Sequence, residues 1–276
     1  MKKVLILGET GNLSNALNEG HQNVELIPRH QYLDWIHNPE NFSIFFKAGN
    51  NSYDAVDIVN CAGIIDPRQS QLEIDRINYT LPLFLSEQSQ LLDFRLITFG
   101  TIMENFESYC HSNPYLMSKH RFFRAFTDNQ DWVKKNIHIQ MHTHYGGRNI
   151  QPRMFLGQIF YSIKNRREFE MSPGNQIREY HHLEDDVRVI YGIMEREYSG
   201  VKSISHGEPI KLMELAYEIF TYFNAENLLQ IAKLPSVESD NDSVIFHREE
   251  HVLGYKFRPI LPNVFNWFEN LGLSRW

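Results

Sequence analysis

Short apolar runs recur along the first half of the chain: Val4-Leu5-Ile6-Leu7 behind Lys2 and Lys3, then Val24 to Ile27, Ala55 to Asn60, Arg95 to Phe99 and Ile137 to Met141. Runs this short, rich in Ile, Val and Leu, predict strands of a parallel sheet covered on both faces. Between them the apolar positions take a helical period. Asp75 to Leu92 carries Ile77, Leu81, Phe84, Leu85, Leu91 and Leu92, and Tyr115 to Phe126 carries Phe122, Phe123 and Phe126. Strand alternating with helix predicts an α/β fold built on a doubly wound parallel sheet. Ligands of such a sheet bind at the carboxyl ends of its strands, so the segments that follow the apolar runs hold the candidate chemistry.

Three such segments are rich in small residues. The first run leads into Gly8-Glu-Thr-Gly11-Asn-Leu-Ser14, which reads as a tight turn opening a helix. Two glycines let the backbone turn sharply and approach a pyrophosphate, whose charge is favoured by the free amides at a helix start. Ser14 stands where a third glycine is usual, still small enough for helix and strand to pack. Cys61-Ala62-Gly63 follows the third run and Gly100-Thr101 the fourth, so all three segments are expected on one edge of the sheet.

The segment Asn113-Pro-Tyr-Leu-Met-Ser-Lys119 adds a reactive pair. On a helix Tyr115 and Lys119 share one face, a turn apart. An ammonium close to a phenol favours the phenolate and is expected to bring the tyrosine pKa towards neutrality, making it a usable general acid-base.

Composition sets limits around this picture. With 276 residues and 42% hydrophobic content the chain can bury a substantial core as one large domain or two coupled ones. No run approaches the roughly 18 apolar residues of a membrane span, so a soluble, cytoplasmic protein is expected. A net charge of -7 argues against general nucleic-acid binding. The two cysteines, Cys61 and Cys110, give neither a disulfide framework nor metal spacing. Thirteen histidines include His138, His142, His144, His181 and His182, yet no carboxylate or cysteine stands at zinc-type spacing from them. No metal is therefore expected, and the histidines read as structural or pocket-lining. Asp185 and Asp186 precede a helical stretch and read as helix caps.

In Gly8-x-x-Gly11, Asn60-Cys-Ala-Gly63, Asn78, Thr101 and Tyr115-x-x-x-Lys119 the chain resembles the short-chain dehydrogenase/reductase superfamily, in its extended, nucleotide-sugar-modifying branch (the epimerase/dehydratase family). The likeness continues through Tyr145-Gly146, through Gln176-Ile-Arg178-Glu-Tyr180-His-His-Leu-Glu-Asp185-Asp186, and through Ser205-His-Gly207 to Leu253-Gly-Tyr-Lys-Phe-Arg-Pro259. It implies a dinucleotide-binding domain over residues 1–144, to which the chain returns at about 183–205. Residues 145–182 and 206–276 would then form a smaller α+β lobe that binds a nucleotide sugar.

The resemblance also assigns roles. Tyr115 would exchange a proton with a sugar oxygen, Lys119 would lower its pKa and hold the nicotinamide ribose, and Thr101 would hydrogen-bond the reacting oxygen, with Thr98 as the competing hydroxyl. Gly8, Thr10, Gly11, Asn12, Leu13, Cys61, Ala62 and Gly63 would surround the cofactor together with Tyr115 and Lys119. Thr101 and Tyr115 would also meet the substrate, whose diphosphate Arg178 is suited to grip with its planar guanidinium. Lys164, Arg166 and Arg167 form a basic run better read as a solvated helix end. At the end of the second strand Glu25 comes too early to bind a ribose, whereas Arg29 stands where a cation would pair with a 2′-phosphate. NADP(H) is therefore expected, with NAD(H) as the alternative. Asp34 and Trp35 would border the adenine or, for the tryptophan, join the core.

The reaction type follows from the neighbours of Thr101. Dehydratases of this branch carry an Asp-Glu pair directly after the hydroxyl residue, and the epimerase-reductases a cysteine. Here Ile102 and Met103 stand there, and neither moves a proton. Reduction of a keto group needs only Tyr115, Lys119 and Thr101. The chain is most similar to the CDP-abequose and paratose synthase type of 4-keto-6-deoxy sugar-nucleotide reductase, which implies deoxysugar synthesis for surface polysaccharide. A nucleotide-sugar 4-epimerase uses the same three residues and stays open, as does a cofactor-sensing or assembly protein without turnover. Family members commonly form a homodimer by packing the helices around Asn78 to Leu92 and Tyr115 to Phe126 into a four-helix bundle; Phe122, Phe123 and Phe126 would give that face its apolar area or else pack inward.

Overall fold

The computed structural model describes residues 2–20, 22–50, 53–66, 68–111, 113–236, 241 and 243–275. The chain divides into two compact units, Met1–Met141 with Tyr191–Ser203, and His142–Ile190 with Ile204–Trp276. The first unit thus closes three residues earlier than the expected boundary at 144, and its returning segment is shorter than 183–205.

The first unit holds strands β1 (Lys2–Leu7), β2 (Val24–Ile27), β3 (Ala55–Asn60), β4 (Arg95–Thr101) and β5 (Ile137–Met141). Helices α1 (Asn12–Gly20), α2 (Arg29–His37), α3 (Pro39–Asn50), α4 (Gln71–Asp75), α5 (Leu81–Leu91), α6 (Glu107–Cys110), α7 (Pro114–Asp128) and α8 (Gln130–Lys135) connect them. The second unit contributes β6 (Thr143–Tyr145), α9 (Phe155–Lys164), β7 (Phe169–Glu170), β8 (Ile177–Arg178) and β9 (Tyr180–His182); α10 (Leu183–Glu195) then runs into the returning segment of the first unit, which holds that unit's sixth strand, β10 (Gly200–Ser203). β11 (Ile210–Lys211), α11 (Leu212–Tyr222), β12 (Leu229–Gln230) and α12 (Ile260–Asn270) complete the second unit.

Six strands form one parallel sheet in the order β10-β5-β4-β3-β1-β2. The chain winds outward from β1 to β2 and then crosses back to β3, so the strand order reverses between β1 and β3. In open sheets of this kind ligands bind at such a reversal, at the carboxyl edge. β5 shows why central strands lack alternation: all five of its residues are buried, the polar His138 and Gln140 included. One face of the sheet packs Leu5, Leu7, Ile58 and Leu96 with Trp35, Phe42 and Phe94, where Trp35 and Phe42 meet edge to face at 4.9 Å. Trp35 therefore belongs to the core.

On α7 the pair Phe122 and Phe126 is buried and packs with Trp132, and His138 lies 5.4 Å from the Phe122 ring. Phe122 and Phe126 thus pack inward, while Phe123 is half-buried. The outward positions Arg121 and Arg124 are exposed, and Arg121 pairs with Asp75.

The second unit is built on its own aromatic core of Phe160, Phe169, Phe220, Phe223 and Phe268. Around it lie three two-stranded pairings, β6 with β9, β8 with β11, and β7 with β12. No helix among the described residues is long and apolar enough to cross a membrane.

Candidate active site

The glycine turn is shaped by backbone contact. Gly8 has φ +95, and a Cβ there would lie 2.8 Å from Ala62 N and from the Cys61 carbonyl carbon, so only glycine lets the turn approach the end of β3 this closely. Ser14 is fully buried, and its hydroxyl reaches the carbonyls of Gly8 (2.5 Å) and Gly11 (2.9 Å). It is more than a small residue in a glycine position, because it pins the turn that opens α1. Thr10, Asn12 and Leu13 lie on that turn and first helical residues, with the helix amides available to an anion.

The loop after β3 is held by Asn78. Its side chain accepts from Ile64 N (2.9 Å) and donates to Ile64 O (2.8 Å) and to Ser118 Oγ (3.1 Å). Ser118 in turn donates to Tyr115 O at 2.7 Å. Asn78 stands in a π turn, Arg76–Thr80, set between α4 and α5, and such one-turn widenings favour functional positions. Cys61-Ala62-Gly63 is thereby coupled to the helix that carries Tyr115.

That helix, α7, starts at Pro114 and is capped by Asn113, whose Oδ1 accepts from Tyr115 N (3.0 Å) and Leu116 N (3.3 Å). Tyr115 and Lys119 follow within its first turns, both partly buried. Lys119 Nζ donates to Phe99 O at 2.8 Å, fixing α7 to β4. The expected lowering of the phenol pKa does not occur. Burial, and then the negative charge of Glu104, raise Tyr115 above its ordinary 10.0. Lys119 is lowered by burial, against the opposing pull of Glu104 and Cys61. Burial also pushes the Cys61 thiol up, so it is no thiolate.

Thr101 ends β4 and caps the single 3-10 turn Ile102–Asn105. Its hydroxyl accepts from Met103 N (3.3 Å), while Glu104 Oε2 accepts from Thr101 N (3.3 Å), a reciprocal capping box. Thr98 turns into the core, 2.8 Å from His138 Nδ1, and is not a site hydroxyl. Cys110 is buried beneath the same turn, its thiol pushed up to about 11 by burial and the charges of Glu104 and Glu107.

Glu104 is the residue that the sequence reading passed over. It is fully buried, and its Oε1 accepts from His138 Nε2 (2.8 Å) and Gln140 Nε2 (2.9 Å). Gly100 makes room for it, because a Cβ there would overlap both the Glu104 carboxylate and His138. The signal was present: Thr101-Ile-Met-Glu104 has the Thr-x-x-Glu spacing of a capping box. A carboxylate does stand next to the apolar pair Ile102 and Met103, but it faces donors on β5.

Arg29 opens α2 and pairs with Glu73 at 3.3 Å, with 48% of its side chain exposed. Glu25 is engaged by Lys3 at 2.7 Å within the strand region. Asp34 accepts from Asn38 (2.6 Å) and Asn41 (2.7 Å). These observations leave Arg29 as the cation at the end of β2.

In the second unit Arg178 lies on β8, its Nη1 donating to Ile177 O at 2.8 Å. Lys164 and Arg167 are exposed at the end of α9, and Lys164 covers the Phe160 ring at 5.3 Å. The histidines, which have no carboxylate at zinc-type spacing in the sequence, meet carboxylates in the fold, His142 and His144 from more than thirty residues away. Glu179 and Asp186 reach His142, His144 and His181. Asp186 therefore serves as an ion partner and not simply as a cap, and Asp185 accepts from Arg258 N at 2.7 Å.

No protein-family model matches the chain, and no curated protein sequence is similar to it. Solved structures match over nearly its whole length. The Bordetella bronchiseptica enzyme WbmG in complex with NAD superposes with a TM-score of 0.73 at 15% identity, over 99% of this chain and 96% of that one. RMD from Pseudomonas aeruginosa complexed with NADPH gives 0.68 at 14%, over 98% and 99%. A dTDP-4-dehydrorhamnose reductase from Clostridium acetobutylicum gives 0.71 at 16%, over 98% and 99%. The chain has the fold of these structures, a Rossmann-type parallel sheet with a second, smaller unit.

Proposed function

We propose that this protein is an NADPH-dependent reductase acting on the keto group of a nucleotide-linked 4-keto-6-deoxy sugar. The observation that carries the reading is α7, which presents Tyr115 and Lys119 as partly buried groups and is tied through Lys119 to β4 at Phe99, two residues before Thr101. A neutral phenol is the acid that a ketone needs as it becomes an alcohol. The raised pKa of Tyr115 keeps it protonated across the physiological range.

The residues at the carboxyl edge fit a dinucleotide. The Gly8 turn approaches the end of β3 as only glycine can, and α1 directs its amides from Thr10, Gly11, Asn12 and Leu13. These would hold the pyrophosphate, Cys61, Ala62 and Gly63 would line the cofactor, and Arg29 would exchange its exposed pair with Glu73 for the 2′-phosphate of NADPH. The bound cofactor supplies the hydride to the keto carbon. Tyr115 delivers its proton to the keto oxygen, Thr101 holds that oxygen through its hydroxyl, and Lys119 holds the nicotinamide ribose and favours the phenolate left behind. Ile102 and Met103 exclude water and add no second acid or base, which favours reduction over elimination. Arg178 would bind the diphosphate of the sugar nucleotide. The reductase and the NADPH complex among the structural neighbours accord with this assignment.

The test is a panel of dTDP-, CDP-, GDP- and UDP-linked 4-keto-6-deoxy sugars, followed by NADPH absorbance and by mass spectrometry of the product. NADPH loss with a sugar two hydrogens heavier is the expected result. Interconversion of 4-epimers without cofactor consumption would replace the reading with an epimerase. Tight NADPH binding without turnover on any sugar would replace it with a sensor or assembly protein.

A further inference from the structure

Four histidines and two carboxylates meet in the second unit. β6 and β9 run parallel with His144 opposite His181, and Thr143 N bonds Glu179 O just before β9. The first turn of α10 brings Asp186, whose Oδ1 lies 2.7 Å from His181 Nδ1 and whose Oδ2 lies 2.7 Å from His144 Nε2. On its other side His181 Nε2 lies 3.1 Å from Glu179 Oε2. The Ser205-His206 segment closes the group: Ser205 Oγ donates to Glu179 Oε1 at 2.6 Å and His206 N to Oε2 at 2.7 Å.

Three buried atoms of this cluster make no hydrogen bond, His142 Nε2, His144 Nε2 and Asp186 Oδ2, and the last two face each other at 2.7 Å. His142 is buried to 4% side-chain exposure, and its Nε2 has no hydrogen-bond partner. A buried imidazole nitrogen without a partner loses its hydration for nothing in return. An imidazole nitrogen that makes no hydrogen bond can offer its lone pair to a cation, and His142 Nε2 is such an atom. It faces Glu179 Oε2 at 3.8 Å, too far for a hydrogen bond.

We propose that His142 Nε2, His181 Nε2 and Glu179 Oε2 bind a divalent cation of the Zn2+ type, with water as fourth ligand and Asp186 orienting His181. The spacings suit it. Ligand atoms around a tetrahedral Zn2+ stand about 3.4 Å apart, and two imidazoles that share the ion have ring centroids about 5 Å apart. Here the three ligand atoms lie within 4.8 Å of one another, at 3.1 and 3.8 Å for the two histidine nitrogens from the glutamate oxygen. The His142 and His181 rings have centroids 5.2 Å apart. The contact from His181 Nδ1–H to Asp186 is the carboxylate support that metal-bound histidines ordinarily have. The His206 nitrogen nearest Glu179 Oε2, Nδ1 at 3.4 Å, is already engaged, accepting from Glu208 N at 3.0 Å. Charge points the same way. Two buried carboxylates share His181, and a divalent ion in place of the His181 Nε2 proton neutralises the two anions. Binding then releases that proton to solvent. This site is independent of the proposed sugar reduction.

The experiment uses the full chain, stripped by a chelator, dialysed and titrated with cobalt(II) chloride and then with zinc sulfate. One Co2+ per chain is expected, with the visible absorption of tetrahedral coordination, lost on displacement by Zn2+, and Zn2+ should raise the melting temperature. His142→Gln should weaken Co2+ binding by about tenfold or more. It should leave the melting temperature of the metal-free protein near the wild-type value, because His142 Nε2 holds no hydrogen bond. Glu179→Gln should lose binding as well. Absence of stoichiometric binding at metal excess would overturn the site, and so would binding that survives His142→Gln. Neither outcome touches the NADPH assay.

Discussion

Burial acts in opposite ways on the two polar centres. Around Tyr115 it prevails: the phenol and the Cys61 thiol are raised and the Lys119 ammonium is lowered, so each group moves towards its neutral form. Around His181 burial is overruled. Glu179 should rise on burial, but His181, His142 and Ser205 hold it down at about 2. His181 should fall on burial, but Asp186 and Glu179 lift it to about 9. The difference lies in partners. Lys119 spends its ammonium on a neutral carbonyl, whereas His181 has a carboxylate on each ring nitrogen. A centre that trades protons gains from groups near neutrality, and a centre of matched ions gains from charges that stay put.

The sharpest way to break this contrast is to remove one of the matched ions. Asp186→Ala strands His181 and His144 and should cost roughly 3–5 kcal/mol, read as a lower urea midpoint. A midpoint within experimental error of wild type would mean that the cluster is solvated. At the other centre Tyr115→Phe keeps the ring and removes the acid. Turnover should fall by about a hundredfold or more while the urea midpoint stays in place. Equal turnover in that variant refutes the catalytic assignment. Arg178→Ala tests whether the second unit contributes to substrate binding: KM for the sugar nucleotide should rise roughly tenfold, the size of a charge-assisted hydrogen bond. An effect confined to NADPH affinity would place the arginine on the wrong ligand.

The smallest effect concerns pH. The protonated phenol is the donor, and its pKa is raised, so kcat/KM should show no alkaline fall below pH 10.0. Glu104→Gln removes the anion that adds to this shift and should draw the alkaline limb down by less than about one pH unit. A residue that only packed the turn would leave the limb where it was.

The sheet was readable because its strands carry their own signal. Val24–Ile27, Ala55–Asn60 and Ile137–Met141 end where the apolar runs end. The turn residues and the cap of α7 were equally local, since Gly8, Asn113 and Pro114 act on neighbours within a few positions. What escaped the reading depends on distance along the chain. Glu104 meets His138 and Gln140 more than thirty residues away, and Asp186 meets His144 across a whole helix and three strands. Spacing rules for metal ligands look for partners nearby, so they could not pair His142 with Glu179. The sign of the Tyr115 shift was missed for a related reason. A four-residue spacing predicts which face a lysine shares but not that its ammonium turns to the Phe99 carbonyl.

The π turn at Arg76–Thr80 can be viewed as a one-residue insertion into an otherwise regular helix running from Gln71 to Leu91. Deleting one residue there would restore the 3.6-residue repeat and rotate everything upstream by about 100°. The healed helix would be the better helix by itself, yet Asn78 would swing away from Ile64 and Ser118. Natural drift towards regularity is thus opposed at this point by a single amide, and chain length at this turn should be less free to vary than its side chains.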